Sequence, residues 1–271
     1  MSAGARMDPA LDAYLGKVAA GLARALGPAL AGLYLHGSAA LGGWSAERSD
    51  VDLLGVVARR LGRRAKQVVA ARLLHPALAC PAERGLGLSL VTASVAAAPP
   101  RQPPFELHVN TGLEGVEHHL GGPAAVDPDL LLYFAVCRRS GVAVAGAPPG
   151  EVFAEPPRAW LLEQAVEELR WALLNGGFAY RMLTACRAWR LLEDDVLCSK
   201  LDGGEWVRRR VADPALVDAA LAAQRGLAST PAAAADLAAA DRFVAGVLDR
   251  FPEADRRGSG EPQGGAPVNR P

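Results

Sequence analysis

The stretch Leu33-Tyr34-Leu35-His36-Gly37-Ser38, followed after a short spacer by Ser49-Asp50-Val51-Asp52-Leu53-Leu54, decides the fold. Its first half reads as a strand running into a Gly-Ser turn, its second as another strand carrying acids at i and i+2. Side chains along a strand alternate faces, so Asp50 and Asp52 leave one face while Val51 and Leu53 enter the core behind them. Two hard carboxylates side by side, with few other polar neighbours in sequence, suit Mg2+ carrying nucleotide phosphates better than they suit a zinc cage. Gly37 and Ser38 supply the close backbone approach a phosphate needs, because glycine permits a tight turn and amides that open a helix point at an anion.

On the N-terminal side, Asp8-Pro9 predicts a helix start, an N-cap acid before a proline, and Leu11, Tyr14, Leu15, Val18, Leu22 and Leu26 recur at helical spacing until Gly27-Pro28. Beyond the motif, Arg59, Arg60, Arg63, Arg64 and Lys66 lead into a second helix through Val68, Val69, Leu73 and Leu74. A basic run of this kind is ordinarily a solvated face, and its alternative is a share in triphosphate binding. Leu86 to Thr92 alternates as a third strand, the prolines from Pro99 to Pro104 force a loop, and Phe105 to Asn110 reads as a fourth strand. Strands mixed with helices predict a small α/β or α+β sheet domain, after which strand signals fade.

Asp127-Pro128-Asp129 begins a helix with Leu130, Leu131, Phe134 and Val136, and Gly141 to Gly150 is a turn-rich break. That break predicts a sheet domain over residues 1–146 and a helical bundle over 147–252, with about four or five helices from Pro157 onward. Trp160, Trp171, Trp189 and Trp206 in the helical half are expected to be core. Residues 253–271 are Gly, Pro and charge without periodicity and are expected to be a disordered tail.

The 271 residues carry 29 basic and 29 acidic side chains, so no global field points to nucleic acid or to a membrane surface. Nucleotide addition to nucleic acid or protein would need a basic groove, and residues 59–66 offer the sole basic run. Cys80, Cys137, Cys186 and Cys198 are too scattered for a zinc knuckle or a disulfide framework. With no signal-peptide pattern at the N-terminus and no membrane-spanning apolar run, a cytoplasmic protein is expected. The adjacent His118 and His119 face opposite sides of any strand and lack a third ligand, which argues against a metal. His36 is expected to be a strand-end hydrogen bonder rather than a base.

The arrangement of strand, Gly-Ser, spacer and Asp-hydrophobic-Asp-hydrophobic resembles the nucleotidyltransferase superfamily that includes DNA polymerase beta and the antibiotic nucleotidyltransferases. Leu35-His36-Gly37-Ser38-Ala39, Gly42-Gly43 and Ser49-Asp50-Val51-Asp52-Leu53-Leu54 resemble the streptomycin/spectinomycin adenylyltransferases, as do Asp127-Pro128-Asp129-Leu130, Leu183-Thr184-Ala185-Cys186-Arg187 and Ser199-Lys200. The resemblance implies an α+β nucleotidyltransferase domain, a mixed sheet with helices, followed by an all-α helical bundle. It implies transfer of AMP from Mg-ATP to a hydroxyl of an aminoglycoside-type antibiotic, with release of pyrophosphate. In that scheme Asp50 and Asp52 hold Mg2+, and Ser38 and Ser49 hydrogen-bond phosphate oxygens beside Gly37. Arg187 and Lys200 close over the phosphates, and Asp129 meets the cationic drug.

One departure stands out. The family carries a glutamate as general base on the third strand, and the matching run Leu86-Gly87-Leu88-Ser89-Leu90-Val91 has Gly87 there. Either another acid substitutes, with Glu106 the first candidate, or the chain is a catalytically impaired nucleotide-binding or regulatory relative. The tryptophan and acid that grip streptomycin in the family also lack counterparts in Asn110 to Glu114 or in Gly176-Gly177-Phe178. Glu106, Glu114, Glu117, Asp127 and Asp129 are the acids available to a cationic drug.

Overall fold

A computed structural model describes residues 7–76, 78–112, 116–227 and 234–252. The chain divides between Pro156 and Pro157 into two compact units. The first opens with α1 (Pro9–Leu26), capped by the Asp8 carboxylate, which accepts from the Ala10 and Leu11 amides at 2.8 and 3.1 Å. The chain continues through β1 (Leu30–Leu35), the single turn α2 (Gly37–Ala40), β2 (Val51–Val57), α3 (Arg63–Leu73) and β3 (Leu86–Thr92). Then come α4 (Ala93–Ala97), β4 (Leu107–Asn110), β5 (Glu117–Leu120), α5 (Leu130–Ser140), β6 (Val142–Ala145) and α6 (Pro149–Val152).

The six strands form one mixed sheet in the order β5-β4-β3-β2-β1-β6. β2 and β3 are parallel, with α3 in the connection, and the other neighbours are antiparallel. Alternation sends Leu33, Leu35, Val51, Leu53, Leu86, Leu88, Leu107 and Val109 to the face packed by α1 and α3. Tyr34, Leu54, Val56 and Val91 take the other face, under Leu130, Phe134 and Cys137 of α5 and under Phe153.

Two strands correct the sequence reading. β5 is polar, and its neighbours His118 and His119 oppose Val109 and His108 respectively, hence opposite faces. β6 lies within the stretch read as a break and pairs with β1. The basic run also splits: Arg59, Arg60, Arg63 and Arg64 are exposed, whereas Lys66 is buried.

The second unit contains α7 (Arg158–Asn175), α8 (Phe178–Asp194), α9 (Lys200–Arg208), α10 (Ala215–Arg225) and α11 (Ala234–Leu248). α8 is the centre of the bundle and packs against each of the other four. Trp189 and Trp206 are buried edge-to-face at 5.7 Å, while Trp160 and Trp171 are half-buried. All four cysteines are free. Among the described residues no helix is long and apolar enough to cross a membrane. Glu114 and the expected disordered tail lie outside the described residues.

Candidate active site

β1 delivers the chain to the Gly-Ser turn, and the His36 amide donates to the Asp52 carbonyl at 3.0 Å, joining the turn to the start of β2. Gly37 has φ +60°, a left-handed conformation that side-chain-bearing residues avoid. A Cβ there would also overlap the Asp52 carboxylate. The glycine therefore serves two ends: it makes the turn and leaves the space that Asp52 fills. Gly37→Ala is expected to lower stability by about 1–3 kcal/mol through backbone strain and to displace Asp52. Thermal melts and a turnover assay check this, and unchanged turnover would separate the turn from the chemistry.

Ser38 Oγ, Trp44 Nε1 and Ser45 Oγ are all buried without a hydrogen-bond partner. Leaving such a group unsatisfied costs about 1–3 kcal/mol, so three of them between residues 38 and 45 suit a ligand rich in acceptors. A phosphate-bearing group fits that donor set. Ser49 is engaged differently: its Oγ accepts from the Ser45 amide at 3.1 Å and its amide donates to the Ser45 carbonyl at 3.0 Å, closing the loop before β2.

Asp50 and Asp52 are both half-buried. Burial holds the His36 imidazole down at a pKa of about 4, with the Asp50 charge pulling the other way, so His36 is neutral at pH 7. Its ring lies against Tyr133 at 4.8 Å. Burial first, then the Asp52 charge, raises the Cys137 thiol well above its ordinary value. Tyr133 and Cys137 are one turn apart on α5, so that helix borders the carboxylate pair.

Strand register places Gly87 beside Asp52 on the same sheet face, with Asn110 and then Glu117 completing the row. Gly87 itself contributes no side chain beside Asp52. Among the described residues no three His, Cys, Asp or Glu side chains gather into a metal cage. Two carboxylates with phosphate oxygens completing the shell suit Mg2+, which keeps to few protein ligands.

The structure does not bring Glu106 to the carboxylate pair. Its side chain accepts from the Leu61 amide at 2.9 Å and pairs with Lys66 at 2.8 Å and Arg60 at 3.3 Å. Glu106 lies four residues before Asn110 along its strand, roughly 13 Å from the Asp52 row at 3.3 Å per residue. The sequence showed an acid on the adjacent strand, but the basic run supplies its partners.

Asp127 and Asp129 are buried at the start of α5, where Asp127 Oδ1 accepts from the Asp129 amide at 3.1 Å. Glu117 is exposed, 3.7 Å from His119. In the helical unit, Arg187 Nη2 lies 3.2 Å from both Glu168 carboxylate oxygens, and Lys200 Nζ sits 4.1 Å above the Tyr180 ring. Sequence reasoning missed Trp44 and Ser45, which no motif marks, and Tyr133, which helical spacing alone could not aim at His36.

Residues 152–250 match the family model described as the aminoglycoside adenylyltransferase C-terminal domain. No curated protein sequence matches the chain. Among solved structures, the fold is similar to that of the spectinomycin adenyltransferase AAD(9) from Enterococcus faecialis, crystallised with ATP and spectinomycin. That match has a TM-score of 0.69 at 16% identity and covers 88% of this chain and 98% of the other. The fold is thus that of an aminoglycoside adenylyltransferase-like nucleotidyltransferase, a mixed sheet with helices followed by a helical region.

Proposed function

We propose that this protein transfers AMP from Mg-ATP to a hydroxyl of an aminoglycoside-type antibiotic such as streptomycin or spectinomycin, releasing pyrophosphate. The observation that carries the reading is the Gly37 turn packed on Asp52, with Asp50 at i−2, in a fold shared with an adenyltransferase crystallised with ATP and spectinomycin. Asp50 and Asp52 would hold Mg2+, which neutralises charge on a triphosphate and on its leaving pyrophosphate. Ser38, Trp44 and Ser45 donate to phosphate oxygens, and Ser49 keeps their loop closed. Arg187 and Lys200 enter the proposal as cations for the triphosphate, and Asp129 as an acid for the cationic drug. The site of action proposed is the cytoplasm, where ATP is at hand and thiols stay reduced.

Mixing the protein with Mg-ATP and either streptomycin or spectinomycin is expected to release pyrophosphate. The glycine at position 87, where the resemblance implies a general base, favours a second reading, a catalytically impaired nucleotide-binding relative. Calorimetric ATP binding without turnover across an aminoglycoside panel would establish that second reading and overturn the first.

A further inference from the structure

No Asp or Glu lies between Asp52 and Glu83, and the same stretch holds Arg59, Arg60, Arg63, Arg64, Lys66 and Arg72. Charge that balances over the whole chain is segregated here. Lys66 is buried and taken up by Glu106, whereas the five arginines are exposed. Arg60 approaches Glu106 at 3.3 Å with 55% of its side chain still open, and among the described residues no carboxylate pairs with Arg59, Arg63, Arg64 or Arg72. On α3 the outward positions are Arg63, Arg64, Gln67, Val68, Ala71 and Arg72, a helix face with three cations and no anion. Gly121 and Gly122 border it: Lys66 Nζ donates to the Gly121 carbonyl at 2.9 Å, and the Arg60 guanidinium lies beside Gly122. Neither glycine has a side chain to shield the arginines.

Neighbouring guanidinium groups in such a run stand within a Debye length, about 8–10 Å, and repel one another. Arg63 and Arg64 also occupy the first turn of α3, where the helix dipole favours anions and no acid is present. An anionic partner relieves both. A triphosphate at Asp52 is not that partner: α3 covers the sheet face opposite the one Asp52 shares with Leu54 and Val56, and five residues of β2, roughly 16 Å, separate Asp52 from Val57, just before the run. One free phosphate engages one or two guanidinium forks, whereas a polymer of phosphates engages the run together and releases counterions at each contact. A lipid surface needs apolar groups that insert, and the large hydrophobic exposed on this helix face is Val68, at 39%.

We infer that Arg59, Arg60, Arg63, Arg64 and Arg72 form a docking surface for the sugar-phosphate backbone of a nucleic acid, on the α3 side of the sheet. The guanidinium forks donate to phosphate oxygens. Backbone contacts carry no sequence information, so binding is salt-sensitive and indifferent to sequence. The surface is independent of the adenylyl-transfer reading, since none of these side chains lies on the face that bears Asp52.

The test is fluorescence anisotropy of the full chain with labelled single-stranded RNA, duplex RNA and duplex DNA, each about 20 nucleotides long, at about 50 mM salt. A Kd of about 10 μM or tighter is expected for at least the duplexes, whose charge is densest, with log K falling against log salt at a slope of about −3 to −4. Arg59→Gln, Arg63→Gln and Arg64→Gln together should weaken binding at least about tenfold and flatten the slope by about 2, with the melting temperature unchanged. Lysine at the same three positions keeps the charge and should hold the affinity within about threefold. Removing equal charge from the helical unit, by Arg209→Gln, Arg225→Gln and Arg242→Gln, should leave binding within about twofold, and a loss as large as at the α3 face would overturn the inference. Displacement of the labelled strand by about 1 mM Mg-ATP would overturn it too, as would tighter binding to phosphatidylglycerol vesicles than to any of the three nucleic acids at equal phosphate. Absence of binding by the natural chain at about 50 mM salt would overturn it and leave adenylyl transfer untouched.

Discussion

Asp52→Ala is expected to cut pyrophosphate release about a thousandfold or more, equivalent to about 4 kcal/mol of lost transition-state stabilisation. Three features set that size. Asp52 is one of only two carboxylates, with Asp50, in the metal-holding pair, its neighbour Gly87 cannot compensate, and the Gly37 turn holds no other acid. Stability should change little, because alanine leaves a half-buried strand position without an unpaired charge. Mg2+-dependent ATP affinity should fall along with kcat. A folded Asp52→Ala protein that keeps turnover within about tenfold of the natural chain would remove the metal-holding role.

Glu106→Gln is expected to act on stability rather than on chemistry. Both Glu106 and Lys66 side chains are 5% exposed and 2.8 Å apart, and Lys66 Nζ also donates to the Gly121 carbonyl at 2.9 Å. Neutralising the glutamate leaves an ammonium buried without its anion, a loss of about 3–5 kcal/mol. The midpoint of urea unfolding should fall accordingly, and kcat of the folded protein should stay within about threefold. Replacing the pair together, Lys66→Met with Glu106→Leu, should recover most of the stability, because an apolar pair of similar volume needs no desolvated charges. A Glu106→Gln protein of unchanged stability and abolished turnover would return this residue to the chemistry.

How much was legible in the sequence depends on how local each signal is. β2 could be read because Asp50-Val51-Asp52-Leu53-Leu54 alternates polar and apolar at strand period, and β3 because Leu86 to Thr92 does the same. α1 announced itself through Asp8-Pro9 and a full apolar stripe. β5 and β6 were not legible. β5 is an edge strand of Glu117-His118-His119-Leu120, and β6 is four Val and Ala residues flanked by Gly141 and Gly146. Their strand state is imposed by β4 and β1, a tertiary effect that local propensity does not carry. The site divides the same way. Gly37 and Asp52 lie in one motif, so their meeting followed from it. Lys66 and Glu106 meet through register between distant segments, which residue types alone do not encode.

The pairing of β6 with β1 carries a consequence for how the first unit is made. β1 precedes its partner by more than a hundred positions, so chain-closure entropy must be overcome before that seam forms. As a nascent chain emerges, β1 has β2 on one side and an open row of amides and carbonyls on the other until Val142–Ala145 clears the ribosome. Phe153, which meets Tyr34 edge-to-face at 4.9 Å and stacks on Phe134 at 5.8 Å, arrives later still. Any fragment ending before Val142 therefore displays a bare sheet edge beside uncovered aromatics, the combination that recruits other chains into aggregates.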